Sequence, residues 1–208
     1  MANGDTSTGI VMPSRFGRIL AIGLAVVSLI GIVTTAIDSG GAALVRYAWP
    51  FIFIAYVGYA LFWKPNVEVS DGGVTVRNVS RTIHLPWPSI QRIDTKYALT
   101  LVTSYGQYSA WAAPAPTRFS VGTADKRELS GLPESTYYAG TIRPGDNPSS
   151  DSGQAALVVR LRWEQLRDAG HLDGARLEAE RPGIQWHWAT IALLVVLGAA
   201  AVASVVFK

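Results

Sequence analysis

Three long apolar runs dominate the hydrophobic pattern of the chain. Ile19–Ile37, Tyr47–Trp63 and Trp188–Phe207 hold 19, 17 and 20 residues, and none of them contains Asp, Glu, Lys or Arg. A helix needs about 20 apolar residues to cross the hydrocarbon core of a bilayer. Aromatic residues bracket the second and third runs, as interfacial anchors do. The pattern predicts three transmembrane helices, and it excludes a soluble enzyme and a disordered chain.

The first run has a second interpretation, a cleaved signal peptide with Arg15 and Arg18 as its basic region. The run is longer than the 7–15-residue apolar core of such peptides, and another apolar run follows within about ten residues. We therefore expect a retained span.

The orientation is predicted from Lys and Arg near the span ends. The connector 38–46 has one Arg and one Asp, whereas the other flanking segments hold Arg15, Arg18, Lys64, Arg77, Arg81, Arg176 and Arg181. The positive-inside rule then predicts a multi-pass plasma-membrane protein. Its parts are a cytoplasmic tail (1–18), a two-helix hairpin (19–63), a cytoplasmic domain (64–187) and a third helix (188–208) that ends outside.

Small residues recur within the spans, at Gly31 and Thr35 and from Gly198 to Ala203. Such spacing lets helices approach closely. It predicts packing within one chain, with oligomerisation through the spans as the alternative. No span contains Asp, Glu, Lys, Arg or His, which argues against a pump, a channel or a proton-coupled transporter.

The first half of the segment between spans two and three alternates with a period of two. Val67 and Val69 precede an Asp-Gly-Gly turn, and Val74 and Val76 follow it. Similar short runs continue to Ala112. This pattern predicts a meander of about five antiparallel strands, each with one apolar face. Pro86-Trp87-Pro88 breaks the meander at a corner, with Trp87 predicted to pack inward.

The second half predicts a flexible insert followed by one helix. The range 114–152 holds five of the eleven prolines, and we expect at most a short ordered piece at Arg118–Val121. Asp151 is the predicted cap of the helix, with Gln154 completing a capping box. Trp163 is predicted to be a core residue, and Arg160 is predicted on the exposed face, paired with Glu164.

Candidate chemistry is sparse. There is no Cys, the three histidines lack metal-ligand spacing, and no nucleophile, phosphate-binding or dinucleotide motif occurs. We therefore predict no enzyme, no catalytic residue, no metal and no cofactor, with a non-motif active site left open. The net charge of +3 is too small to indicate a nucleic-acid partner.

The run from Val67 to Asn78, then Arg81 and Leu85–Ile90, resembles the start of a bacterial PH-like domain. With the preceding spans, the Leu99–Trp111 hairpin and the Trp163-Glu164 pair, the chain is similar to actinobacterial membrane proteins of the low-molecular-weight antigen PH family. The resemblance implies a strongly bent antiparallel sheet closed by one C-terminal helix, an α+β domain without known catalysis. The insert and the third span depart from the family pattern.

For such a module at the lipid bilayer, the sequence indicates two alternative kinds of partner. An unknown membrane or cytoplasmic protein could bind an edge strand or an aromatic patch of Tyr105, Tyr108 and Trp111, which makes the protein an interaction or scaffold module. Alternatively, Lys64, Arg77 and Arg81 could contact anionic headgroups weakly, since Glu68 and Asp71 dilute their charge.

Overall fold

The structure is a computed structural model that describes residues 9–116, 133–136, 143–172 and 181–206. Four helices and eight strands form within these ranges. The helices are α1 (Arg15–Tyr47), α2 (Trp49–Gly58, continued by a π-helical turn Tyr59–Trp63), α3 (Asp151–Asp168) and α4 (Trp188–Val206). The strands are β1 (Ile10–Pro13), β2 (Asn66–Ser70), β3 (Gly73–Arg77), β4 (Arg81–Pro86), β5 (Ile90–Asp94), β6 (Ala98–Thr103), β7 (Gly106–Pro114) and β8 (Gly183–Trp186).

Three helical stretches are long and apolar enough to cross a membrane, as the sequence predicts. They run over Arg15–Asp38, Leu44–Trp63 and Trp188–Val206. The predicted connector 38–46 is mostly helical, which corrects the expected bounds. The chain reverses at Gly40, whose φ of 75° and ψ of 177° break the helix. Glycine takes this backbone conformation without the steric penalty of a Cβ.

The small residues of the spans are used within this chain. A Cβ at Gly31 would overlap the ring of Phe51, and a Cβ at Gly198 would lie 3.4 Å from the ring of Phe53. Helix α2 thus packs against both α1 and α4. Oligomerisation through the spans stays a prediction.

The strands form two antiparallel sheets. The first has the order β1-β2-β3-β4-β8, and the second has the order β5-β6-β7. The predicted meander of about five strands corresponds to six, β2 to β7, which are divided between the two sheets after β4. The strands β1 and β8 come from segments without a predicted strand. Ile10 pairs with Val69, and Trp186 pairs with Arg81. Each outer strand has only four residues, which is too short for its alternation to stand out from the tail or the linker.

The core lies between the two sheets and under α3. Its fully buried side chains alternate along β2, β3, β4 and β6, as the period-two pattern predicts: Val67, Val74, Val76, Ile83, Leu85, Leu99 and Leu101. Trp87 is buried at the corner after β4, and its indole N–H donates to the Ser70 carbonyl at 3.0 Å. Its predicted inward packing is confirmed.

Helix α3 closes the core, but its details differ from the sequence prediction. Ser150 is the N-cap, with its Oγ accepting from Gly153 N at 3.0 Å, and Asp151 is the first helical residue. Trp163 is half-buried against the core, and its indole N–H donates to the Ile90 carbonyl at 3.0 Å. The prediction that Trp163 is a core residue holds only in part, because the side chain packs against the core but stays partly exposed.

Arg160 is the largest departure on this helix. Predicted on the exposed face, it is buried, and its Nη1 lies 2.6 Å from Oδ1 of Asp146. The same oxygen accepts from Thr95 at 2.7 Å. Helical periodicity assigned Arg160 to solvent because it takes no account of Asp146, which the chain brings over that face.

Asp146 belongs to the range predicted as a flexible insert. A short 3-10 turn, Pro144–Asp146, packs so tightly that a Cβ at Gly145 would overlap the Thr95 carbonyl oxygen. The C-terminal end of the predicted insert is thus built into the core. Arg118–Val121 and the residues around it lie outside the described residues.

Candidate functional site

All three long apolar helices meet the sheets at one end, which we call the junction end. Here β1 runs into α1, the π-helical turn runs into β2, and β8 runs into α4. Asn66 pairs with Arg77, and Arg77 pairs with Thr82, so the β3–β4 turn also lies at the junction end. The Asp71-Gly72 turn between β2 and β3 lies at the far end of the same hairpin.

The three predicted headgroup contacts gather at the junction end. Lys64 donates to the Thr190 hydroxyl at 2.6 Å, and burial, followed by the charge of Arg77, lowers the pKa of its ammonium group. Arg77 is exposed. The guanidinium of Arg81 lies over the Trp186 ring, 5.6 Å from its centroid. These cations are separated from Asp71, which forms an ion pair of 2.6 Å with Arg162 at the far end.

The three aromatic residues of the predicted interaction surface do not share one face. Tyr108 packs against the core, on the side of β7 that carries the buried Ala110. Trp111 lies on the opposite side of β7 and is 53% exposed, and Tyr105 is exposed in the β6–β7 turn. The structure therefore brings Trp111 to the junction end and leaves the other two elsewhere.

Trp111 connects the second sheet to the second span. Its indole N–H donates to the Leu61 carbonyl at 2.7 Å. Four residues after Leu61 the chain has Pro65, which carries no N–H and cannot make the usual helical bond. The indole thus satisfies a carbonyl that the sequence leaves without its normal partner.

Asn78 is a site residue whose role the sequence analysis missed. Its amide nitrogen donates to the Ser109 carbonyl at 2.9 Å, and its amide oxygen accepts from Trp111 N at 2.8 Å. The side chain therefore pairs with the outer edge of β7 as a neighbouring strand would. The available signal was an Asn directly after a strand, but nothing in the sequence indicates that β7 lies beside it.

Further hydrogen bonds tie the domain to α1 and α4. Ser14 caps α1 by accepting from Gly17 N at 3.0 Å, and its hydroxyl donates to Asp151 of α3 at 2.6 Å. His187, just before α4, has Nδ1 3.2 Å from the Val79 carbonyl and Nε2 2.8 Å from the Thr82 hydroxyl. The close carbonyl indicates that Nδ1 carries the proton.

A cleft of about 840 Å³ opens at the junction end, between the domain and the helix ends. It is mostly apolar, and Arg81 is the one charged side chain among the described residues that line it. The lining residues are Ser14, Phe16, Gly17, Leu61, Phe62, Pro65, Asn78, Val79, Ser80, Arg81, Tyr97, Ala98, Ser109, Ala110, Trp111, Ala112 and Pro114. The cleft has the size of sites that take small molecules, about 300–1,000 Å³.

No group of three or more His, Asp or Glu side chains that could hold a metal ion occurs within the described parts of the chain. His84 is exposed on β4, where its Nδ1 lies 3.0 Å from the Thr75 hydroxyl, as expected for a surface histidine.

Comparison with known proteins gives a family match over one part of the chain. A family model described as bacterial PH domain matches residues 64–125, which includes β2 to β7. No curated protein and no solved structure matches the chain significantly. The narrower resemblance to the actinobacterial antigen family stays a prediction. The strands from β2 to β7 thus lie in a segment that is similar to a bacterial PH domain.

Proposed function

We propose that the protein is a membrane-anchored, non-enzymatic PH-like module that holds a protein partner at the cytoplasmic face of the membrane. The observation that carries this proposal is the fixed attachment of the domain to all three apolar helices. Trp111, Lys64, Ser14 and His187 each make a hydrogen bond across the junction end. A domain held this way has a high effective concentration for partners in the same membrane.

The pairing of β1 with β2 supports the arrangement of the spans. Ile10–Pro13 precedes the first span, whereas β2 follows the second, yet the two strands share one sheet. Both must then lie on the same side of the membrane. With the basic residues flanking the spans, this favours a cytoplasmic N-terminal segment and a cytoplasmic domain.

The outer edge of β8 is the surface we propose for the protein partner. All four residues of β8 are exposed, and Ile184 and Trp186 continue the apolar face of β4 with 42% and 50% of their surface in solvent. Within the described residues, β8 pairs only with β4. An extended peptide can add to such an edge through backbone hydrogen bonds, with pockets for alternate side chains.

Site-specific photo-crosslinking in membranes tests this surface with the full chain. A crosslinker at position 184 is expected to give a defined protein adduct, and one at Gln107, exposed on β7, is not. A separate Ile184→Asp variant should reduce partner co-purification, since an inward-facing charge blocks strand addition. Gln185→Asp adds the same charge at the neighbouring position and should reduce it less. Equal adducts at both crosslinker positions would contradict the proposal.

Anionic lipid headgroups are the second candidate partner, supported by the gathering of Lys64, Arg77 and Arg81 at the junction end. Each basic residue near an anionic leaflet contributes about 1 kcal/mol to attraction. In nanodiscs, the full chain should enrich anionic over zwitterionic lipid around itself, and the enrichment should decrease with salt. Enrichment that is unchanged in Arg77→Gln and at high salt would count against this candidate.

A further inference from the structure

We infer that the cleft at the junction end binds one anionic phospholipid from the adjoining leaflet. Its phosphate would lie at Arg81, and an acyl chain would lie along Leu61, Phe62 and Phe16. This inference goes beyond the proposed function, because neither a protein partner nor a general attraction of anionic lipid requires a lipid seated in a defined cleft.

The position of the cleft is the first argument. Phe16 lies in the first turn of α1, and Leu61 and Phe62 lie in the last turn of the second span. Phe16 is 64% exposed although it is aromatic. Because span ends lie where hydrocarbon gives way to headgroups, the cleft opens at headgroup depth. Phospholipid is the most concentrated amphiphile at that depth.

The chemistry of the lining is the second argument. Two polar side chains in the wall are already engaged, the Trp111 indole with the Leu61 carbonyl and the Asn78 amide with β7. Arg81 adds one positive charge to otherwise uncharged walls. The guanidinium lies over the Trp186 ring, and this contact leaves its charge in place. Apolar walls with a single cation complement an apolar chain that ends in one phosphate.

Variants of Arg81 and Arg77 distinguish a lipid bound in the cleft from a general attraction of anionic lipid to the surface. Arg77 also lies at the junction end but does not line the cleft, so Arg77→Gln removes the same charge outside it. A guanidinium that contacts a phosphate makes charge-assisted hydrogen bonds, which are about twice as strong as neutral ones. Loss of Arg81 should therefore weaken lipid retention much more than loss of Arg77.

Native mass spectrometry of the full chain tests the inference. Protein exchanged into bicelles that contain phosphatidylglycerol, then returned to mild detergent, is expected to retain one phosphatidylglycerol per chain. Arg81→Gln should lower the retained fraction about tenfold, Arg81→Lys should retain most of it, and Arg77→Gln should match the wild type. Ala98→Leu, which fills the cleft without changing charge, should also release the lipid.

Three results would overturn the inference: no retained lipid in the wild type, equal losses in Arg77→Gln and Arg81→Gln, or full retention in Ala98→Leu. If the Arg81 variants fail to fold, Ala98→Leu alone decides the outcome. A protein segment crosslinked inside the cleft in place of lipid would also overturn it. In each case the partner adduct at position 184 and the salt-dependent lipid enrichment stay independent measurements, so the proposed function is tested separately.

Discussion

The side-chain amide of Asn78 forms the two hydrogen bonds with the edge of β7 that a neighbouring strand would form. It supplies one donor and one acceptor at the spacing of a peptide group, and so joins the β3–β4 turn to the second sheet. A backbone edge left without partners is a template for pairing with other chains. At the scale of a single residue, Asn78 therefore joins the two sheets at the junction end, and it covers backbone groups of β7 that could otherwise pair with another chain.

Asn78→Ala is expected to lower the free energy of unfolding by about 1–3 kcal/mol, since each of two hydrogen bonds contributes about 0.5–1.5 kcal/mol. Asn78→Asp should be at least as damaging, because it keeps the acceptor for Trp111 N but turns a carboxylate toward the Ser109 carbonyl. The measurement is the thermal midpoint of the full chain in detergent. Gln107→Ala, on an exposed position of β7, is the control and should change little.

Asp94 gives the domain a pH-dependent contribution. Burial alone would raise the pKa of its carboxyl, but hydrogen bonds from Arg143 and Lys96 N and the charges of Arg143 and Arg92 outweigh this and lower the pKa below its usual 3.8. A carboxyl with a depressed pKa stabilises the fold above its unfolded pKa, and this contribution is lost as the pH falls through the folded pKa.

Asp94→Asn should therefore destabilise the protein at pH 7 by about 1 kcal/mol or less, and the difference from wild type should shrink as the pH falls from the unfolded pKa toward the lower folded pKa. Thermal midpoints across pH 7 to 3 check this. Asp168→Asn removes a mostly exposed ion pair with Arg167 and should have a smaller effect. A wild-type advantage that grew on acidification would reverse the assigned sign.

At the scale of elements, sequence patterns predict that α3 forms and which elements it covers, but they do not predict all of its contacts. Its existence and its packing over the strands follow from the periodicity around Ala156 and Val159, which are buried. Its pairing with the Pro144–Asp146 turn does not follow, because that contact depends on the path of the preceding loop. Asn78 and the cleft escape prediction for the same reason, since each depends on segments that are distant in sequence.

Breaking the buried pair of Arg160 and Asp146 should be costly. Their side chains are 4% and 1% exposed, and the Nε of Arg160 is buried without a partner in the described residues. Arg160→Met leaves a buried carboxylate without its cation, at about 3–5 kcal/mol. For a chain of this size, that lowers the thermal midpoint by about 6–20 °C.

Arg162→Met on the same helix is the matched control. It removes the ion pair with Asp71, whose side chains are 38% and 80% exposed, and should cost about 1 kcal/mol or less. The double variant Arg160→Met with Asp146→Leu should recover most of the lost stability. Equal destabilisation by Arg160→Met and Arg162→Met would show that burial of the pair does not matter.

At the scale of the whole molecule, the five-stranded sheet ties together segments that precede the first span, follow the second and precede the third. Hydropathy predicts the three long apolar helices well, because runs of about 20 apolar residues are typical of helices that can cross a bilayer. It cannot indicate that Ile10–Pro13 and Gly183–Trp186 complete one sheet. A fragment that begins at residue 64 would lack β1, so experiments on this domain need the full chain.

The predicted topology is tested by reporter fusions at residues 42, 130 and 208. A reporter active only in the cytoplasm should work at 130, and reporters active only outside should work at 42 and 208. Disruption of the basic residues before the first span, with Arg15→Gln and Arg18→Gln together, should weaken this orientation. An external signal at 130 would overturn the cytoplasmic assignment of the domain.

The two outer strands of the sheet are made at very different times during synthesis of the chain, β1 first and β8 late. Ribosomes add about 5–20 residues per second, so roughly 10–35 s separate the emergence of β1 from that of β8. β1 is already present when β2 emerges and can cover its edge at once. β4 must wait for Gly183–Trp186, which are made after nearly all of the domain. The edge of β4 is therefore the part of the sheet most exposed to misassembly while the chain is being made.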